Sequence, residues 1–144
     1  MTIRGEIFEE IEARLRAIDA PAISEVELMP SGDPISFPAL AIYDDGQQLD
    51  ADDVTASWYS LGVMVEGFVE KADGREAHEA MNDLYAAVIR ALLPEPPLGG
   101  LVETITEGAM RVSVADLASQ RRLGFALDLT LTFPTRRDDP AIPA

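Results

Sequence analysis

Leu123-Gly124-Phe125-Ala126-Leu127-Asp128-Leu129-Thr130-Leu131-Thr132-Phe133 alternates without a break, with large apolar residues at odd positions and small or polar ones at even positions. A period of two is the signature of a strand that buries one face and exposes the other. A second run, residues 54–70, repeats the pattern. Tyr59, Leu61, Val63, Val65 and Val69 share one parity, with Gly67 among them. Trp58, Ser60, Gly62, Met64, Glu66 and Phe68 share the other. The first set reads as core. The second mixes aromatic, small and polar side chains and reads as a contact surface.

Two helices flank these strands. Ile3, Ile7, Ile11, Leu15 and Ile18 recur at the spacing of one helical face, with Thr2 placed to cap the first amides. Glu10 with Arg14 and Glu12 with Arg16 set acid before base at i,i+4, and Pro21 stops the element, so a helix is predicted near 3–19. Asp73 with Glu76 forms a capping box ahead of Ala77, Met81, Leu84, Tyr85, Val88 and Leu92, and Pro94 ends a helix predicted near 74–93. Short strands are predicted at 24–29, 39–43, 101–106 and 110–114, the last two interrupted at Glu107-Gly108 by a bulge or tight turn. Asp44-Asp45-Gly46 reads as a turn, and the run to Asp53, with five aspartates, as a mobile solvated loop.

The expected architecture is α+β, in the order α-β-β-β-α-β-β. A mixed or antiparallel sheet of about five strands carries both helices on one face and leaves the other free. Ile7, Ile11, Leu15, Leu61, Val63, Met81, Leu84, Val88, Leu127 and Leu129 are the predicted core. Residues 1–134 are expected to form one domain, and residues 135–144 a flexible tail.

Composition narrows the function classes. With 26 acids against 11 bases the chain carries a net charge of −15, opposite to what phosphate binding requires. Cysteine is absent, which removes disulfides and thiolate chemistry. No stretch reaches the roughly 18 apolar residues of a membrane span, and the first 18 residues read as a helix and not as an export signal. A cytoplasmic setting is the expectation.

Motifs for catalysis are missing. No serine lies in G-x-S-x-G, and Gly99-Gly100 lacks the Lys and Ser/Thr of a phosphate cradle. His78-Glu79 opens like H-E-x-x-H, but Asn82 stands where the second histidine belongs, and His78 is the sole histidine. The aspartates do not follow the spacing of a calcium loop, since, counting from Asp50, Val54 falls at position 5, where an oxygen ligand is needed. No catalytic, cofactor-binding or metal-ligating residue is predicted. The candidate contact residues are Trp58, Met64 and Phe68, together with Asp50, Asp52 and Asp53, which are expected to order against a partner.

Four stretches carry a likeness. They are the Thr2-Ile3-Arg4 helix start, Phe37-Pro38-Ala39-Leu40 entering a strand, the long strand from Tyr59 before an Ala-rich helix, and Gln120-Arg121-Arg122-Leu123 leading into the alternating strand. Through them, and through Pro96-Pro97-Leu98-Gly99-Gly100-Leu101, nearly the whole chain resembles the tail terminator family (minor tail protein U-like) of long-tailed bacteriophages and gene transfer agents. The resemblance implies a non-enzymatic hexameric ring that caps the tail tube, stops its polymerisation and offers a surface to the head. Its implied partners are further copies of itself, the major tail tube protein and a head–tail connector or neck protein. The implied place is the bacterial cytoplasm during assembly and then the head-proximal end of a tail. DNA would pass through the ring without specific binding, and six copies at −15 each carry −90. A head-closure or other neck protein is the alternative within the same class. From another class, the alternative is a small-ligand-binding or enzymatic domain with a pocket between helix and sheet.

Overall fold

A computed structural model describes residues 1–117 and 119–144. The chain forms α1 (Ile3–Arg16), β1 (Glu25–Leu28), β2 (Ala39–Asp52), β3 (Ala56–Lys71), α2 (Gly74–Leu92), a 3₁₀ turn (Pro97–Gly100), β4 (Thr104–Asp116), β5 (Arg121–Arg136) and β6 (Asp139–Pro143). This is an α+β fold.

Both helices start where side chains satisfy their first amides. The Thr2 hydroxyl accepts from the Gly5 N–H at 2.9 Å, and Asp73 Oδ1 accepts from the Glu76 N–H at 2.9 Å. Helix α1 ends at Arg16, earlier than the apolar spacing through Ile18 predicts, and Ile18 packs half-buried against the core. The expected ion pairs form, Glu10 with Arg14 at 2.8 Å and Glu12 with Arg16 at 3.4 Å.

The sheet has six strands in the order β1-β2-β3-β5-β4, with β6 paired to the end of β5. β1 runs parallel to β2, and every other pairing is antiparallel. The central pair, β3 with β5, keeps one register from Ala56 opposite Arg136 to Lys71 opposite Arg121. Register shifts occur in the outer strands, between Asp44 and Gln47 and between Leu49 and Ala51 in β2, and between Glu107 and Met110 in β4. The interruption expected at Glu107-Gly108 is thus a bulge within a single strand.

Residues on one face of the sheet are sealed by the helices. Leu61, Val63, Val65 and Val69 of β3 and Leu123, Phe125, Leu127, Leu129, Leu131 and Phe133 of β5 are buried, and all ten predicted core residues are among the buried set. Gly67 is where this layer is tightest. A Cβ there would lie 2.3 Å from Phe125 Cε1 and 3.0 Å from Leu84 Cδ2, so the Phe125 ring crosses β3 in the space of the absent side chain. Tyr85 of α2 meets that ring edge-on at 6.0 Å.

Two segments differ from the sequence expectation. Residues 44–53 do not form a loop, since β2 continues to Asp52 against β3. Gly46 at φ +85° absorbs the irregularity that Asp44-Asp45-Gly46 had marked as a turn. The extra length of β3 gives these residues a backbone partner, which outweighs the poor strand propensity of Asp. Residues 135–144 also do not form an irregular tail. β5 runs to Arg136, and the chain doubles back as β6.

Candidate interaction surface

The helix-free face of the sheet gathers the side chains that the even parity of β3 had singled out. Trp58, Met64 and Phe68 all point to it and are half-buried. The Phe68 ring lies over Gly124, where a Cβ would stand 3.1 Å from its Cδ1. Around them the face is small and hydroxylic, with Thr104 and Thr132 sharing a hydrogen bond of 2.6 Å across β4 and β5. Two of its arginines are held by carboxylates across neighbouring strands. Arg111 meets Asp128 at 2.8 Å, and Arg122 meets Glu70 at 3.0 Å with its guanidinium 4.7 Å from the Phe37 ring centroid. The hydrogen bonds from Arg111 hold the Asp128 carboxyl below its usual pKa.

The aspartates predicted as a contact loop sit along β2 and its turn into β3, and four of the five, Asp44, Asp50, Asp52 and Asp53, have a hydrogen-bond or ion-pair partner. Asp44, on the helix side, takes both guanidinium nitrogens of Arg4 at 2.8 Å. Those bonds lower its pKa more than its partial burial raises it. Asp50 accepts a short hydrogen bond from the Ser60 hydroxyl, and Asp52 pairs with Arg137 at 3.4 Å. Asp53 closes the turn by accepting from the Thr55 N–H at 2.7 Å, the Thr55 hydroxyl and the Ala56 N–H, bonds that depress its pKa. The structure therefore splits the predicted set. Trp58, Met64, Phe68 and Asp50 share the helix-free face, while Asp52 and Asp53 belong to the hairpin turn.

The edges of the sheet differ in how they are finished. At β1 the outward Val26 carbonyl accepts from Arg16 of α1 at 2.8 Å, so the helix covers that short edge. β1 spans only the first four residues of β2 and Met29 meets the Asp44 amide at 3.2 Å, so among the described residues β2 has no strand neighbour on that side past Asp44. On the opposite side, among the described residues, no strand lies beyond β4. Met110, Val112 and Val114 line its helix-side face at 36%, 52% and 64% exposure, past the reach of α2. These residues were legible as an alternating strand. Their exposure was not, because a period of two does not tell a covered strand from an uncovered one.

A cavity of about 560 Å³ lies between β1, the loop 30–35 and the helix-free side of β2 and β3. It is acidic, with Glu25, Glu27, Asp33 and Glu66 on its walls. Burial and a hydrogen bond to Glu66 raise the Tyr43 pKa. Glu25 is occupied by the amides of Ile35 and Ser36 at 3.1 and 2.9 Å. His78 is exposed on α2, away from this cavity. Among the described residues no three His, Cys, Asp or Glu are grouped to hold a metal ion, and no helix is long and apolar enough to cross a membrane.

Compared by sequence, the chain matches no protein-family model and no curated protein. Compared by structure, it resembles a chain of a native gene transfer agent virion, with a TM-score of 0.51 and 15% identity over 88% of this chain and 91% of the other. At that identity the likeness is one of fold, and it runs nearly end to end in both.

Proposed function

We propose that the chain is a structural component of a phage-like particle, and within it the tail terminator, a ring, hexameric by family resemblance, that caps the tail tube. The observation that carries this reading is the near end-to-end match to a virion chain, in which neither protein has a large part unaccounted for. The surface chemistry supports it. A sheet with one sealed face, one half-buried mixed face and open edges is suited to contacts with protein. Its partners are then further copies of itself, the tail tube protein below and a neck protein above, with DNA passing through. In this role the ring works by geometry, occupying the tube's growing end and presenting no surface on which the next tube ring can add.

The test is to add purified protein to polymerising tail tubes and measure their lengths and ends by negative-stain imaging. Capped ends and arrested growth are expected. Tubes that lengthen unchanged, with bare ends at saturating protein, overturn the reading.

A further inference from the structure

We propose that copies of this chain join head to tail by strand addition, with β4 of one copy pairing antiparallel to the open half of β2 in the next. The proposal rests on the ring reading and names the surface that closes it.

β4 is a thirteen-residue edge strand with an apolar strip of Met110, Val112 and Val114 on one face. Edge strands are normally protected by charge, especially lysine, by proline, by bulges or by a covering element. β4 is bulged between Glu107 and Met110, but its stretch 110–114 holds no lysine or proline and a single charge, Arg111, and among the described residues no strand lies beyond it. Among the described residues β2 also lacks a strand neighbour past its four residues of pairing with β1, and there Leu49 is 51% exposed. These two edges bound the same sheet on opposite sides. Through β2, β3, β5 and β4 each strand is antiparallel to the last, so β2 and β4 run in opposite directions. Within one chain Val112 lies level with Leu40, so a copy rotated about an axis inclined to the strands, as in a barrel, brings the open half of its β2 antiparallel to β4, and repeating that rotation closes a ring.

One register satisfies both faces of such a pair. Val112 and Leu49 both lie on the helix side of their strands, paired within the chain to Phe125 and Tyr59. Setting Val112 opposite Leu49 brings Arg111, already paired with Asp128, toward Asp50 on the helix-free face, at the register break between Leu49 and Ala51 where Asp50 accepts from Ser60. The apolar strip is covered and Arg111 gains a second acid beside it. A two-fold pairing of β4 with β4 would cover the valines but leave Leu49 and the β2 edge open.

The chain has no cysteine, so the contact can be trapped without background. In Leu49→Cys/Val112→Cys the two positions of one chain are three strand spacings apart across the sheet, about 14 Å, and are further offset along it, Leu49 lying level with Phe133 and Val112 with Phe125, while a disulfide needs Cα atoms within about 7 Å. Oxidising this variant, concentrated or on tube ends, is expected to give a disulfide-linked ladder up to the ring size on non-reducing gels. Val112→Cys alone should give none. Val112→Lys, at a half-exposed position, is expected to melt like wild type and to form no rings. Rings in images without cross-links in the double variant, or rings that survive Val112→Lys, overturn strand addition and leave the terminator reading standing. Dimers from Val112→Cys alone overturn it in favour of the two-fold pair. No ring from wild type, with tubes present, overturns both.

Discussion

Gly67 shows how much one residue decides here. It was legible only as a gap in an apolar parity. The structure gives its reason, because Phe125 crosses the strand where a side chain would stand. Overpacking a rigid core costs about 1–3 kcal/mol, and an atom at 2.3 Å from an aromatic carbon lies at the severe end. Gly67→Ala is expected to lower the thermal midpoint by several degrees, whereas Gly32→Ala, with nothing near its Cβ, provides the open-site control. Equal melting of both variants would contradict the packing described. Asp44 makes a second residue-scale statement. Its folded pKa lies below that of the unfolded chain, about 3.9, because it accepts bonds from Arg4. The stability it adds is therefore present above that unfolded value and is lost as pH falls through the folded pKa. Urea midpoints between pH 6 and 2 are expected to fall more steeply for wild type than for Asp44→Asn. Parallel curves would show that the Arg4 pair adds nothing.

At the scale of elements, legibility followed burial. β5 and the even and odd faces of β3 could be read because a half-buried strand writes its geometry as alternation. The helices could be read because Thr2, Asp73 and the apolar spacing agreed. The acidic half of β2 could not. Its residues 45–52 are exposed, so no alternation was imposed on them, and Asp-rich composition pointed to a loop. β6 was hidden for a related reason, since Asp139-Pro140-Ala141-Ile142-Pro143 is short, proline-bearing and largely exposed. The candidate contact residues fared in the same way. The parity that set Trp58, Met64 and Phe68 on one face was visible, whereas the role of Asp53 as a turn cap depends on the Thr55 and Ala56 amides folding back onto it. The open edge of β4 had no signal at all, because whether a strand has a neighbour is a property of topology.

For the whole molecule the dominant number is the charge. Copies at −15 each repel one another when brought into a ring, and the single Arg111–Asp50 contact per interface does little against that. Raising ionic strength from 0.01 to 0.1 M shortens the screening length from about 30 to about 10 Å. Ring formation is therefore expected to strengthen over that range, measured by light scattering at fixed protein concentration. Rings that dissociate as salt is added would place the binding energy in ion pairs and not in the apolar strip.

The bulges in β2 and β4 set a limit on any sheet that grows from these edges. Register breaks between Asp44 and Gln47 and between Leu49 and Ala51 on one strand, and between Glu107 and Met110 on the other, leave only short stretches straight enough to pair. With Val112 opposite Leu49, the unbroken stretch is residues 47–49 against 112–114. A junction so brief holds two free copies only fleetingly, and an open arc sheds members from its ends. The last copy to enter a ring makes two junctions at once, the second at the high effective concentration of an intramolecular contact. Persistence then belongs to the closed circle alone, and a chain built this way waits, dispersed, for a template that brings its copies together.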